Sequence, residues 1–489
     1  MVSKNNLIKL LVISVVLVNI TVISGCVKEK PPTEEVVGEK PAEELLEEKP
    51  KEEITPPTTP VPETPSAPAP APSPKTTAPP VKKGPEPLEI PFEASHFGFM
   101  HPERSLSEAA ELKVHWARPH PGPFLWDSIE PEKGRFDFSS PDREVRLLQE
   151  YDFTMIATIW PYADWDQESC RKRLSFEKIR EFRELGYYRQ MPCDMEAYKN
   201  FVKTVVERYD GDGIDDMPGL KYPVKYWEVI NEPSMKEDLV FFYGSPEEYF
   251  EVLKATYEAV KEADPEAKVL NGGIAGFDYE SRNFWQKVID LGGAKYFDIF
   301  NHHSISGPED LHVPEAKSFM RKNNIRKPHW IPEVEFSAWG LKRERLTPEE
   351  WANVIVRSYI YSFGEGVDKL FYVGLDESPG DPESWLLYTE SEKKPHRAKE
   401  GPKKRQATFY AFKTMVEKID YFTAVRKLGK GKYKFTVKGK PVYVLWAPGP
   451  VPAEITGTVL VTNIRGYTRK IDATSITLTE SPIFVEPLH

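Results

Sequence analysis

Residues 227–233 carry the sequence Trp-Glu-Val-Ile-Asn-Glu-Pro, a short apolar run that ends in Asn231, Glu232 and Pro233. A run of this length and composition predicts a buried β-strand. The proline predicts that the strand ends there, because proline cannot donate a hydrogen bond to a neighbouring strand. The run would therefore place the carboxyl group of Glu232 at the end of a strand.

Similar apolar runs recur along the chain and alternate with helical patterns. Eight can be counted, at residues 96–100, 113–118, 154–160, 224–231, 268–273, 297–302, 329–336 and 369–375. Helices are predicted between them, for example over residues 195–209 and over residues 246–263, where Ser245 is a suitable N-cap before Pro246. Eight such units predict a (β/α)8 TIM barrel over residues 91–420. A doubly wound open sheet is the alternative, but no glycine-rich phosphate turn follows the first run.

The helical period stops near residue 421. Runs at residues 433–437, 442–446, 459–461 and 483–485 alternate polar with apolar residues and are separated by glycine and proline. This pattern predicts a small antiparallel β domain over residues 421–489. A packing role against the barrel is favoured over carbohydrate binding for this domain.

The N-terminus predicts export. Lys4 and Lys9 precede an apolar run at residues 10–23, which is shorter than the ~20 residues of a membrane-spanning helix, and Ser-Gly-Cys26 follows. Residues 1–26 are therefore predicted to be a signal peptide, with an uncleaved membrane anchor as the alternative. The end of this segment resembles a lipobox, which implies that Cys26 is lipidated and that the protein is anchored to the outer face of the cell membrane.

Residues 27–90 differ sharply from the rest of the chain. They contain 17 prolines, 13 glutamates and 8 lysines but no aromatic residue. Such a segment cannot bury enough apolar surface to offset its loss of chain entropy, so we expect a disordered linker between the membrane and the barrel.

Charge and cysteine content exclude several classes of function. The formal net charge is −11, and no basic run accompanies aromatic residues, so nucleic-acid binding is not expected. Cys170 and Cys193 stand 23 residues apart without a CxxC motif or a neighbouring histidine, so we expect no metal site there. An exported protein permits a disulfide between them, and two free thiols are the alternative. No cofactor is expected.

A second carboxylate follows the seventh run. That run ends at Glu333, and Glu335 lies two residues further on and so on the same face of the strand. Barrel enzymes carry their chemistry at the C-terminal ends of the strands, so Glu232 and Glu333 are expected to share a site. Glu228 is four residues before Glu232 and is expected inside the barrel, paired with a base.

Two motifs support a named resemblance. Asn-Glu-Pro at residues 231–233 and Lys-Pro-x-Trp-x-x-Glu at residues 327–333 resemble the fourth and seventh strands of clan A glycoside hydrolases, which are retaining TIM-barrel β-glycosidases. The resemblance implies that Glu232 is the acid/base, that Glu333 is the nucleophile and that Asn231 binds the 2-hydroxyl of the reacting sugar. It also implies that Arg118 lies close to the nucleophile. Residues 124–136 and the appended β domain favour family 39, with families 5 and 42 as alternatives.

Pro332 departs from the clan pattern, since a residue with a free NH usually precedes the nucleophile. Proline inside a strand predicts a β-bulge at this point. Glu335 therefore remains an alternative to Glu333 as the nucleophile.

Several other side chains are candidate substrate contacts. His302 and His303 lie at the end of the sixth run, where the clan commonly places a histidine beside the nucleophile, so His303 is a candidate and a structural role is the alternative. The remaining candidates are the aromatic residues Trp160, Trp165 and Tyr372, which follow or end strands; Trp160 would otherwise close the top of the barrel.

The sequence thus predicts a retaining glycoside hydrolase that acts on β-linked O-glycosidic bonds of an extracellular oligo- or polysaccharide. A non-catalytic carbohydrate-binding lipoprotein on a degenerate barrel and a structural surface protein are the competing hypotheses. Neither of these needs a facing pair of carboxylates, which favours the enzyme. The expected partners are a carbohydrate and, through the lipid, the membrane.

Overall fold

A computed structural model describes residues 89–236, 239–376, 381–389 and 403–488. The predicted signal peptide, Cys26 and nearly all of the predicted linker lie outside these residues. Within the described ranges, none of the helices combines the length and the apolar character that crossing a bilayer requires.

Nine parallel strand segments form one curled sheet. They are β1 (Phe97–Met100), β2 (Trp116–Arg118), β3 (Thr154–Ile159), β4 (Tyr226–Val229), β5 (Lys268–Leu270), β6 (Ile274–Ala275), β7 (Phe300–His303), β8 (His329–Val334) and β9 (Lys369–Tyr372). Their spatial order is β5-β4-β3-β2-β1-β9-β8-β7-β6. A parallel bridge between Leu270 and Ile299 joins β5 to the residue before β7, so the two ends of the sheet meet. β5 and β6 share one position in this ring, which gives eight positions and confirms the predicted barrel.

Each of the eight apolar runs is longer than the strand observed at its position, and the second, fourth and fifth show why. The second begins at Trp116 because Lys113, at the start of the run, has φ of 57°, which is not a strand conformation. The fourth ends at Val229 because Ile230 has φ of 63°. The fifth is interrupted between Leu270 and Ile274.

Helices follow most of the barrel strands and bury one face against them. They are α1 (Leu106–Glu111), α2 (Trp126–Ile129), α3 (Ser139–Glu150), α4 (Asp164–Gln167), α5 (Phe176–Ile179), α6 (Met195–Tyr209), α7 (Pro246–Ala263), α8 (Tyr279–Asp290), α9 (Val313–Lys322), α10 (Pro348–Gly364) and α11 (Ala407–Ile419). Short 3-10 turns occur at Pro102–Arg104, Arg183–Leu185, Gly293–Lys295, Pro382–Ser384 and Ala473–Ser475. The predicted helices α6 and α7 have the predicted bounds, and Ser245 caps α7 in a reciprocal arrangement with Glu248.

The C-terminal residues form a separate antiparallel sheet. Its strands are β12 (Phe422–Gly429), β13 (Lys432–Val437), β14 (Lys440–Leu445), β15 (Thr458–Asn463), β16 (Thr468–Asp472) and β17 (Ile483–Pro487), in the order β12-β13-β14-β17-β15-β16. A two-stranded ribbon, β10 (Leu387–Thr389) with β11 (Lys403–Arg405), precedes it in sequence. Phe435 and Phe484 belong to the same apolar core as Phe412 on α11, so the sheet packs on the barrel helices.

Candidate active site

Glu232 and Glu333 come together at the C-terminal end of the barrel. Glu232 follows β4 in a tight turn, where its own φ is 39° and that of Ile230 is 63°. Glu333 lies near the end of β8. One carboxyl oxygen of each lies within 4.8 Å of the other. A retaining glycosidase needs its two carboxyl groups ~5 to 5.5 Å apart, whereas an inverting one leaves a gap for water of ~6.5 Å or more.

Arg118, at the end of β2, connects the parts of this site. Its side chain is fully buried. Nη1 donates to Glu333 Oε2 at 2.9 Å, and Nη2 donates to Asn231 Oδ1 at 2.6 Å. Nε and Nη2 also donate to Glu228 Oε2, at 3.0 and 2.8 Å. The predicted neighbours Asn231 and Glu333 are thus held by one planar cation, and Glu228 is paired with a base as expected.

His303, the last residue of β7, lies between the two carboxyl groups. Its Nδ1 lies 2.8 Å from Glu232 Oε1 and 3.4 Å from Glu333 Oε2. Burial opposes a charge on this ring, but Glu333, Glu228 and Glu232 together raise the pKa of His303 to about 9. The ring is therefore a positively charged imidazolium at neutral pH, and its Nδ1–H donates a hydrogen bond to Glu232 Oε1. His302 faces the other way and bonds His329, as strand alternation requires.

Glu228 anchors the floor of the site. Thr158 Oγ1 donates to its Oε2 and Asn301 Nδ2 donates to its Oε1, both at 2.6 Å. Burial alone would raise the pKa of Glu228, but Arg118, His303 and Thr158 lower it to about 2. This carboxylate stays charged and fixes the cations that face the reactive pair.

Burial raises the pKa of Glu333, and the carboxyl groups of Glu232 and Glu228 raise it further, against the opposing effects of His303 and Arg118. Two ionised carboxyl groups this close repel each other, so the neighbouring Glu232 disfavours the ionised form of Glu333, whereas the Arg118 guanidinium favours it.

The turn that presents Glu232 rests on Gly272, in the break between β5 and β6. The Glu232 amide donates to the carbonyl of Gly272, and the Gly272 amide donates to Tyr249 Oη at 2.8 Å. A Cβ atom at position 272 would lie 2.5 Å from the Val229 carbonyl oxygen and 2.7 Å from that of Ile230. The interruption of the fifth strand therefore leaves space for the turn that contains Glu232.

Pro332 lies inside β8, and the pairing of β8 with β9 shifts register between Ile331 and Val334. This confirms the predicted irregularity. Glu335 is the first residue beyond the strand. Ser306 Oγ donates to its Oε1 at 2.9 Å, and burial, together with Glu333 and Asp381, raises the pKa of Glu335 to about 7.

The structure does not bring all predicted aromatic contacts to the carboxyl pair. Trp160 is fully buried and donates from Nε1 to the Pro121 carbonyl, as expected of a residue that closes the barrel. Tyr372 is also fully buried, and its hydroxyl donates to the Ser384 carbonyl. Trp165 is half-buried, and its Nε1 donates to the Glu130 carbonyl. Trp160 and Tyr372 do not present a surface to a ligand, because both rings are buried in the apolar core.

Cys170 and Cys193 form a disulfide with a Cα to Cα distance of 6.1 Å. It joins the segment after α4 to the segment before α6, both in the long connection that follows β3.

Among the residues that the structure describes, two groups of side chains have donor atoms close enough for a metal ion. Glu232, His303 and Glu333 form the first, and Glu207, Asp210 and Asp212 form the second. In the first group the Arg118 guanidinium already contacts Glu333, so a metal cation there would lie beside a fixed positive charge.

Sequence reasoning missed Thr158 and Asn301. Both lie inside predicted strands, and nothing in an apolar run distinguishes a polar residue that faces the barrel axis from one that does not. A sequence signal existed for Asn301, which is two residues before His303 and therefore on the same face.

The chain is similar in structure to several solved proteins. A family 86 glycoside hydrolase in complex with neoagarooctaose has a TM-score of 0.51 at 14% identity, over 80% of this chain and 73% of that chain. The alpha-L-arabinofuranosidase from Thermotoga maritima has a TM-score of 0.49 at 12% identity, over 82% and 98%. The catalytic domain of the family 30 xylanase C from Talaromyces cellulolyticus has a TM-score of 0.47 at 12% identity, over 83% and 96%.

No family model matches the chain. At such low identity the similarity shows the fold alone, which is the barrel of glycoside hydrolases. The resemblance to family 39 stays a prediction.

Proposed function

We propose that the protein is a retaining glycoside hydrolase that cleaves β-linked O-glycosidic bonds of an oligo- or polysaccharide outside the cytoplasm. The observation that carries the proposal is the buried pair Glu232 and Glu333, whose oxygens lie within 4.8 Å and are held by Arg118 and His303. The extracytoplasmic location rests on the sequence of residues 1–26, and cell fractionation tests it.

In the first step Glu333 attacks the anomeric carbon while Glu232 protonates the departing glycosidic oxygen. The sugar becomes esterified to Glu333, and the leaving group departs as an alcohol. This step requires Glu232 to be protonated and Glu333 to be ionised. His303 Nδ1–H stabilises the Glu232 carboxylate that remains after the proton has been transferred.

In the second step Glu232 removes a proton from water, and the water oxygen attacks the anomeric carbon and displaces Glu333. Two inversions at the same carbon give net retention. Arg118 donates to the Glu333 carboxylate both before attack and after its release. Asn231, held through its Oδ1 by Arg118, leaves its amide NH2 to donate to a sugar hydroxyl.

The test is a screen of the full-length protein against aryl β-glycosides and against xylan, mixed-linkage β-glucan and agarose, with the product anomer followed by NMR. We expect hydrolysis with retention on at least one substrate. Glu232→Gln and Glu333→Gln should each lower kcat by roughly 10² to 10⁴-fold, the contribution typical of a positioned acid or base.

Glu335→Gln distinguishes the two candidate nucleophiles, because it removes the carboxyl group that lies two residues beyond Glu333. Release of the inverted anomer would exclude double displacement. If Glu335→Gln abolished hydrolysis and Glu333→Gln did not, Glu335 would be the nucleophile. Binding of a polysaccharide without hydrolysis would instead favour the non-catalytic carbohydrate-binding hypothesis.

A further inference from the structure

Exposed apolar side chains border the face of the barrel that carries the carboxyl pair. They follow β3, β4, β6, β7 and β8, and they are Phe176, Tyr243, Tyr279, Ile305 and Trp339. Trp339 is 63% exposed although it is one of the largest apolar side chains. It lies six residues beyond Glu333 along the chain. A large indole left in solvent next to a reactive site is a candidate ligand contact.

The backbone fixes the position of Trp339. The Lys342 amide donates to the Trp339 carbonyl at 2.9 Å, and the Arg343 amide donates to the Ala338 carbonyl at 2.8 Å. Asp381 Oδ2 accepts from the Ala338 amide. The indole is therefore presented by a hydrogen-bonded turn, which reduces the entropy lost when a ligand packs on it.

This turn lies directly against the loop that follows β7. A Cβ atom at Gly340 would lie 2.0 Å from the Ser306 carbonyl oxygen, so the two loops are in backbone contact. The residue that follows Trp339 therefore packs on Ser306, whose hydroxyl donates to Glu335 Oε1 at 2.9 Å.

Glu335 adds a hydrogen-bonding group that the proposed reaction does not use. Its side chain is 5% exposed, and no hydrogen bond to its carboxyl group other than that from Ser306 occurs in the part of the chain that the structure describes. Its pKa is raised to about 7, chiefly by burial, so it holds a proton for much of the time near neutral pH. A protonated carboxyl group both donates and accepts, as does the hydroxyl of Ser306.

We propose that Trp339, Ser306 and Glu335 form a binding subsite for a second sugar unit, next to the unit held between Glu232 and Glu333. This inference rests on the proposed function and extends it to the substrate class, an oligo- or polysaccharide chain. The CH face of the sugar packs on the indole of Trp339, and sugar hydroxyls bond Ser306 and Glu335. Aromatic side chains suit such ligands because they offer a large, rigid apolar surface.

The test compares substrates of different length in the full-length protein. The probes are the hexasaccharide of whichever polysaccharide the wild type hydrolyses fastest, and the aryl glycoside of the same sugar. We expect Trp339→Ala to lower the ratio of kcat/KM for the hexasaccharide to that for the aryl glycoside by roughly 10-fold, mainly through KM, since a stacked aromatic contact contributes about that factor. Trp339→Phe should restore most of the ratio.

Tyr467→Ala is the matched control. Tyr467 is 71% exposed, but it precedes β16 in the C-terminal sheet. The inference is overturned if Trp339→Ala leaves the ratio unchanged, or if Tyr467→Ala lowers it equally, while the wild type remains active. Absence of hydrolysis by the wild type is a different result, because it overturns the proposed function itself.

Discussion

Arg118 contacts three acceptors that the site needs in fixed positions. Its Nη1 bonds Glu333, and Nη2 bonds both Glu228 and Asn231. This requires the planar fork of a guanidinium, since an ammonium on a flexible stem cannot donate in three fixed directions from one plane. The geometry of the carboxyl pair therefore depends on a residue that the proposed mechanism never protonates or deprotonates.

Arg118→Lys keeps the positive charge but removes the planar guanidinium, so it should separate the positioning role of Arg118 from the effect of its charge. We expect kcat to fall roughly 10 to 100-fold, because Glu333 and Asn231 lose their common support, and the thermal midpoint to fall, because Glu228 stays buried with poorer pairing. Arg208→Lys is the matched control, since Arg208 also bonds a carboxylate twice, at Asp142, but on α6. If Arg118→Lys kept more than half of the wild-type kcat, the positioning role would be wrong.

Among individual residues, the sequence could predict the site residues that belong to a motif or lie at a strand end. Glu232, Glu333 and His303 were predicted and lie together in the structure. Tyr372 was predicted to contact substrate because it lies on the eighth run. Its burial depends on Phe336 and Phe412, which approach from other parts of the chain, and no local pattern contains that information.

Among the elements, the break between β5 and β6 has the most direct effect on the position of Glu232. Its Gly272 accepts from the Glu232 amide and lies against the carbonyls of Val229 and Ile230, at the end of β4. Two neighbouring strands thus end together, and the space left by the missing Cβ is filled by the turn that carries the acid.

Gly272→Ala should push this turn outward. We expect a loss of stability of about 1 to 3 kcal/mol from overpacking. We also expect a fall in kcat of roughly 10-fold or more, because a shift of about 1 Å at a reacting group is costly. Gly429→Ala is the matched control, since Gly429 lies in β12 without a positive φ and its added Cβ would meet no atom within 4 Å. Equal kcat in the two variants would contradict the positioning of Glu232 by Gly272.

The sequence predicted the elements but not their ends. The run at residues 268–273 appeared as one strand, yet the strand stops at Leu270. Asn271 there bonds the backbone of Asn301 on β7 through both its amide nitrogen and its oxygen. A contact between distant strands decides where this one stops, so no window of local sequence reveals it.

For the whole molecule, the buried ionisable groups of the site predict how stability depends on pH. Glu335 is buried with its pKa raised to about 7, and His303 with its pKa raised to about 9. An acid with a raised pKa favours the folded state while it is protonated, so Glu335 destabilises the fold as pH rises from about 4.5 to 7. A histidine with a raised pKa stabilises the fold fully below about 6.5, and this contribution is lost as pH rises through about 9.

Glu228 affects the pH dependence of stability in the opposite direction to Glu335. Glu228 has its pKa lowered to about 2, so its contribution is present above about 4.5 and is lost as pH falls towards 2.

Thermal unfolding followed at pH 3, 4.5, 7 and 9 measures this profile. We expect the midpoint of the wild type, relative to that of the isosteric and neutral Glu335→Gln, to fall between pH 4.5 and 7 by an amount worth on the order of 1 to 3 kcal/mol, and to stay constant between pH 7 and 9. The comparison isolates Glu335, because His302 and His329, whose pKa values are lowered by burial and which destabilise the fold in acid, are present in both proteins. A difference that does not change between pH 4.5 and 7 would contradict the burial of Glu335 as a protonated acid.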